Sequence, residues 1–181
     1  MIQKIKKEIL TIELGVLIGL ITFTLTLLTT FFWQGNGFTM GETLMLPLIG
    51  GFYLFVTTII VNIIGINRVR KLTQKNNILN IKKLYQVIIV LLISILAYTL
   101  LDSIYFIFDN SLSIDYANSL EALLKSTGEN TDDMKDFEKL PFSVQNIFSS
   151  LFSAILSGLI SLPFIKSDWD IFKSKNDNYY K

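Results

Sequence analysis

Four long apolar runs constrain this chain more than any other feature of its sequence. They extend over about Ile9–Trp33, Thr43–Ile66, Leu84–Phe108 and Phe142–Ile165. The hydrocarbon core of a bilayer needs roughly 20 apolar residues of helix to cross it, and each run is long enough. Because a helix satisfies its own backbone hydrogen bonds inside lipid, the sequence predicts an all-α polytopic membrane protein with a four-transmembrane-helix bundle, treated as a single domain.

The charges between the apolar runs predict how the bundle is oriented. Residues 67–83 contain several Arg and Lys residues but no Asp or Glu, and lysines also precede the first run and follow the fourth. Residues 109–141, between the third and fourth runs, contain more acids than bases. Positive charge is retained on the cytoplasmic side of a membrane. We therefore expect both termini to be cytoplasmic, with residues 109–141 on the other side of the membrane.

The composition excludes several kinds of chemistry. The chain has 0 Cys and 0 His, which excludes disulfides, imidazole-held zinc or haem, and nucleophiles activated by histidine. The composition still allows a hard-metal site built from carboxylates, but most of the acids are scattered in a loop, so we predict no metal site and no cofactor. We interpret the basic segment 66–83 as a topology signal rather than a binding arm. If it does bind a partner, the expected one is the anionic headgroups of the lipid bilayer and not nucleic acid, since interleaved aromatic residues are missing there. We find no catalytic motif and expect no enzyme.

Small residues recur at helical spacing within the runs. Helices in lipid associate through close packing at such residues, and the alternative interpretation is a polar pathway through the bundle. The candidate helix-packing residues are Gly15, Gly19, Ser150, Ser153, Ser157 and Gly158.

The third run contains an ionisable residue among other polar side chains. Ser94, Tyr98, Asp102 and Tyr105 follow one another along one helix face. An acid inside a span is costly and by default suggests a functional site. Asp102 is either a structural acid, at the outer interface or bonded to a tyrosine, or an intramembrane site for a proton, cation or substrate.

Residues 109–141 show the pattern of a helical hairpin. Apolar residues recur at helical spacing up to Gly128, a typical helix stop, and Thr131-Asp132-Asp133 is typical of a new helix start. The apolar sides of the two helices either pack on each other and on the bundle or face a partner protein. In the second case, the candidate partner contacts are Tyr116, Leu120, Leu123, Met134 and Phe137.

The overall layout resembles a known family. A basic start and two close spans precede a basic loop, and the third span ends in Tyr105-Phe106-Ile107-Phe108. An acidic outer segment follows, with Asp115-Tyr116, Ser126-Thr127-Gly128-Glu129 and Met134, and then a small-residue span that ends in lysine. This resembles a four-span inner-membrane protein family of unknown function from Bacteroidota-type bacteria. The resemblance implies the topology and the inner-membrane location, and it supplies no activity.

Two functional hypotheses remain open at this point. The first is a non-enzymatic accessory or scaffold subunit of a membrane assembly, with a membrane protein partner or self-association. The alternative is a small transporter or channel that uses Asp102.

Overall fold

The computed structural model describes residues 2–33, 40–69, 83–128, 131 and 134–165. Every regular element within these ranges is a helix, as the sequence predicts. The elements are α1 (Ile2–Trp33), α2 (Met40–Val61) with its π-helical continuation (Asn62–Ile66), α3 (Lys83–Phe108), α4 (Ser111–Thr127), α5 (Met134–Phe137), α6 (Phe142–Gln145), α7 (Ile147–Ser161) and a 3-10 turn (Leu162–Phe164).

Four helical segments among the described residues are long and apolar enough to cross a membrane, which confirms this part of the prediction. They are Ile9–Phe31, Leu48–Val69, Leu84–Phe108 and Ile147–Phe164. The last one begins later than the predicted run. Asn146 has φ −111° and ψ 23°, outside the helical region, so α6 is a separate single turn and α7 starts after it.

The segment between α3 and α7 contains one full helix, α4, and two single-turn helices, α5 and α6. α4 ends at Gly128, whose φ of 80° is the left-handed conformation that glycine adopts freely. α5 is only 4 residues long. Of the predicted start of the second helix, Thr131 is not helical, and Asp132 and Asp133 lie outside the described residues.

The burial pattern is the reverse of that in a water-soluble protein. Large apolar side chains face outward, among them Phe148 at 84% and Phe152 at 69% exposure. Thr58, Asn62 and Ser94 are fully buried, each at 0%. In water the apolar side chains would be inside, whereas in lipid the polar groups have to find partners within the protein.

The long helices pack mainly as two pairs, α1 with α3 and α2 with α7. A Cβ atom added at Gly15 would lie 2.6 Å from Cβ of Ile93, and one added at Gly19 would lie 2.6 Å from Cβ of Ala97. Gly15 and Gly19 of α1 are therefore both in contact with α3. Only residues without a side chain allow the two backbones to approach this closely.

The other candidate packing residues lie on α7. A Cβ atom added at Gly51 of α2 would lie 2.7 Å from Oγ of Ser153, so Ser153 faces α2. Gly158 faces Leu91 of α3, where an added Cβ atom would lie 2.7 Å from Cδ1. The other two are buried in the bundle, Ser150 at 4% and Ser157 at 0% exposure.

One apolar cluster joins all four long helices. Its members include Ile18 of α1, Leu54 of α2, Val90 of α3 and Ala154 of α7, each at most 1% exposed. We refer to these four residues as the central apolar cluster. They pack together in the interior of the bundle, beside buried polar residues such as Thr58 and Ser94.

Candidate functional site

Asp102 is the buried acid around which the candidate site is built. It lies on α3 and is 5% exposed. A buried carboxylate needs hydrogen-bond donors because it has lost its water. Its Oδ2 accepts a hydrogen bond from the backbone N–H of Ser143 at 2.8 Å.

The start of α6 explains why the Ser143 N–H needs this acceptor. The first N–H groups of a helix have no partner within the helix. A side chain at the N-cap position often accepts from them, but here that position is Pro141, which offers no acceptor. Asp102 of α3 supplies the missing oxygen, and its negative charge also suits the positive end of the helix dipole. The carboxylate therefore attaches α6 to α3.

The other predicted members of the intramembrane site have different partners. The Ser94 hydroxyl donates to the carbonyl of Leu91 in its own helix at 2.8 Å. The Tyr98 hydroxyl lies beside Thr26, and an added Cβ atom at Gly50 would be 3.5 Å from it. Tyr98 stays one helical turn from Asp102, but the hydrogen bonds of the predicted group do not converge on one point.

Tyr105 turns away from Asp102 toward the end of α3. Its hydroxyl donates to Oδ2 of Asp109 at 2.8 Å. Oδ1 of Asp109 accepts from the hydroxyl of Ser111 at 2.6 Å and from its backbone N–H at 3.0 Å. These hydrogen bonds, of which the two from Ser111 have the largest effect, hold the pKa of Asp109 below its usual value. Asp109 is therefore ionised at neutral pH.

Gln145 is a site residue that sequence reasoning missed. Its Nε2 amide group points at three backbone carbonyls, those of Ser113 at 3.3 Å, Phe137 at 3.1 Å and Leu140 at 2.8 Å. It thereby joins α4, α5 and the turn before α6. The available signal was an amide residue shortly after Pro141 in an apolar run, where an unpaired amide would be costly.

Of the candidate partner contacts, Tyr116 is buried, and Leu120 and Phe137 are half-buried. The rings of Tyr116 and Phe142 meet edge to face, with centroids 5.3 Å apart. Leu120 and Phe137 pack against the same cluster, and Leu123 is half-buried. The side chain of Met134 lies outside the described residues. These contacts favour the interpretation in which the apolar sides of residues 109–141 pack on the bundle.

The ionisation of Tyr116 follows from the same packing. Burial against Phe142 raises the pKa of its phenol to about 12. The ring therefore stays neutral in any physiological medium.

Among the described residues, no group of three or more acidic side chains is placed to hold a metal ion. Comparison of the chain with protein-family models, with curated proteins and with solved structures gives no match. The function is therefore argued from the geometry.

Proposed function

We propose that the chain is a non-enzymatic integral protein of a bacterial inner membrane, acting as an accessory or scaffold subunit of a membrane assembly or as a homo-oligomer. The central apolar cluster is the observation that carries the proposal. Its four residues, one from each long helix, are at most 1% exposed. A route for ions or polar solutes needs a polar or hydrated lining, and these four side chains supply none.

The position of Asp102 supports the same conclusion. A carboxylate that carries a proton or cation has to exchange its partners with the medium. Asp102 is 5% exposed and caps α6 through the Ser143 N–H. Releasing it would leave that N–H buried without a partner, so a structural role suits its geometry better than transport.

The outward face of α7 offers a surface for association. Phe148, Phe152, Ile155 and Leu159 recur at helical spacing and are 59–84% exposed. The glycines of α1 and α7 are already in contact with α3. A partner helix would therefore meet large apolar side chains on this face rather than a small-residue groove.

The charge distribution supports the orientation, with both termini in the cytoplasm, as the family resemblance also implies. Because the chain has 0 Cys, single cysteines report which side a residue faces. We expect Ser126→Cys, on the exposed part of α4, to react with a membrane-impermeant maleimide in intact spheroplasts. Asn77→Cys should react only after permeabilisation. The opposite labelling pattern would overturn the orientation.

The association itself is tested by purification. The tagged full-length chain is extracted at native expression level in a mild detergent and analysed by size exclusion with light scattering and mass spectrometry. We expect a stoichiometric membrane-protein partner or a homo-oligomer. The double variant Phe148→Ala with Phe152→Ala should lose the complex, whereas Leu92→Ala with Leu96→Ala, on the exposed face of α3, should keep it. A monomer in every preparation would contradict the proposal.

Asp102 separates the proposal from the small transporter or channel. Asp102→Asn removes the charge but keeps an oxygen for the Ser143 N–H, so we expect near-normal stability and assembly. Asp102→Ala leaves the N–H unpaired and should cost about 1–3 kcal/mol of unfolding free energy. If the wild type supports ion or proton flux in proteoliposomes and Asp102→Asn does not, the transporter hypothesis would replace the scaffold hypothesis.

A further inference from the structure

A pocket lies where α1, α3 and α4 meet. Its volume is about 210 Å³, and its lining residues are Leu27, Leu28, Thr30, Phe31, Tyr105 and Leu112. Two candidate spans end nearby, at Phe31 and at Phe108. The pocket is therefore mainly apolar and is placed at the boundary between the hydrocarbon and the polar interface of a bilayer.

A fixed negative charge stands beside this pocket. Tyr105 lines the pocket, and its hydroxyl donates a hydrogen bond to Asp109. A carboxylate offers about four acceptor positions, and Asp109 uses three of them, for the hydroxyl and N–H of Ser111 and for Tyr105. These donors are neutral, so the charge is retained and a further donor can be accepted at Oδ2.

Neighbouring side chains hold the Tyr105 ring and the Asp109 carboxylate in place before any ligand binds. The Tyr105 ring meets Phe23 of α1 edge to face, with centroids 6.2 Å apart, and Ser111 fixes the carboxylate from the first turn of α4. A preformed site loses little conformational entropy on binding. Lys125 and Lys139 pair with Glu121 and Asp136, so these two cations are engaged elsewhere.

We propose that the pocket and Asp109 bind phosphatidylethanolamine, with part of one acyl chain in the pocket and the primary ammonium group on the Asp109 carboxylate. The ammonium group supplies both the positive charge and the N–H donor that this carboxylate can accept. Phosphatidylcholine carries the charge without an N–H group, and phosphatidylglycerol is anionic and would be repelled. The proposal requires only that the spans lie in a bilayer, so it does not rest on the scaffold role.

Lipid retention by the full-length protein tests the headgroup. The chain is reconstituted in nanodiscs of equal parts phosphatidylethanolamine, phosphatidylcholine and phosphatidylglycerol with identical acyl chains, then extracted and analysed by native mass spectrometry. We expect phosphatidylethanolamine to be enriched about fivefold, as a charge contact near a membrane surface of about 1 kcal/mol implies. Asp109→Asn should abolish the enrichment. Asp136→Asn, at an exposed acid of the same region, should preserve it.

A second pair of variants tests the pocket. Leu28→Trp should fill it and lower the retention of every lipid, whereas Leu92→Trp should not, because Leu92 is on the outward face of α3. Both leucines are exposed, at 52% and 61%, so neither change disturbs the core. Should Asp109→Asn fail to fold, the wild-type chain is offered N-acetylated phosphatidylethanolamine, which lacks the positive charge and should be retained about fivefold less.

Three results would overturn the proposal. One is equal retention of the three headgroups. Another is an enrichment that survives Asp109→Asn or extends equally to the N-acetylated lipid. The third is retention that Leu28→Trp and Leu92→Trp change to the same extent, since the lipid would then lie on the general surface of the bundle.

Discussion

The middle of the bundle and the end at which α3 meets α4 are held together in different ways. In the middle, α1 and α3 approach so closely that an added Cβ at Gly19 would lie 2.8 Å from the carbonyl oxygen of Ser94. Where α3 meets α4, a region that we call the α4 end, side chains form hydrogen bonds with backbone groups of other helices. Asp102 accepts from Ser143, and Gln145 donates to carbonyls of α4 and α5.

The difference follows from where the helices are interrupted. A continuous helix pairs its own N–H and C=O groups, so the helix backbones in the middle of the bundle can pack closely without side-chain partners. At the α4 end, α3 ends, α4, α5 and α6 begin and end, and α7 begins, and each helix end leaves unpaired backbone groups. Buried polar side chains are required there because water has limited access. A polar residue near a span is therefore not by itself a sign of transport.

The largest loss of stability is expected from Gly19→Leu. The new side chain would meet Ala97 and backbone atoms of Ser94 and Tyr98, and backbone cannot move aside as a side-chain tip can. We expect a loss of about 3 kcal/mol of unfolding free energy, or failure to fold. Unfolding in mixed micelles, followed by circular dichroism, measures it.

The control for this prediction is Thr24→Leu on the exposed face of α1. It should change the unfolding free energy little, because its side chain points away from α3. Equal stability of Gly19→Leu and Thr24→Leu would show that close approach does not hold the middle of the bundle together.

The next effect is expected from Gln145→Ala. The change leaves the carbonyls of Phe137 and Leu140 without this donor and should cost about 2 kcal/mol. Hydrogen exchange followed by mass spectrometry should show faster exchange in α4 and α5, while α1 and the middle of α3 keep their protection. Asn118→Ala, at an exposed position of α4, serves as the control. Uniformly faster exchange through the whole chain would mean that the two regions unfold as one unit.

The spans could be predicted because hydropathy alone determines them. The third run coincides with its candidate span from Leu84 to Phe108. The fourth does not, since the interruption at Asn146 depends on backbone angles that an apolar sequence does not reveal. Gly128 is a case in which local chemistry sufficed, because it has the left-handed conformation that terminates α4.

The partners of the polar residues could not be predicted. Asp102 is identifiable as an acid in a span, but its donor Ser143 is 41 residues away. Gln145 reaches Ser113 across 32 residues. In both pairs one partner is a backbone group, which every residue has, so no residue type marks the position. Tyr105 is different, because its partner Asp109 is the residue one helical turn further along the chain, and that spacing is visible in the sequence.

The smallest expected effect is the contribution of Tyr116 to the pH dependence of folding stability. It tests how well the α4 end excludes water. Burial against Phe142 raises the pKa of its phenol from 10.0 to about 12. The neutral phenol is thus favoured in the folded state, so this contribution to stability is fully present below pH 10.0 and is lost as the pH rises through about 12.

Thermal unfolding of the wild type and of Tyr116→Phe, from neutral to alkaline pH, isolates this contribution. Phe keeps the ring contact with Phe142 and removes the ionisable group, so the two midpoints should be close at neutral pH. Above pH 10.0, that of the wild type should fall more steeply. The other tyrosines and the lysines titrate in both chains, so their effects cancel in the difference. Parallel curves would mean that the phenol reaches water in the folded protein, and the cluster around Phe142 would then be more open than the middle of the bundle.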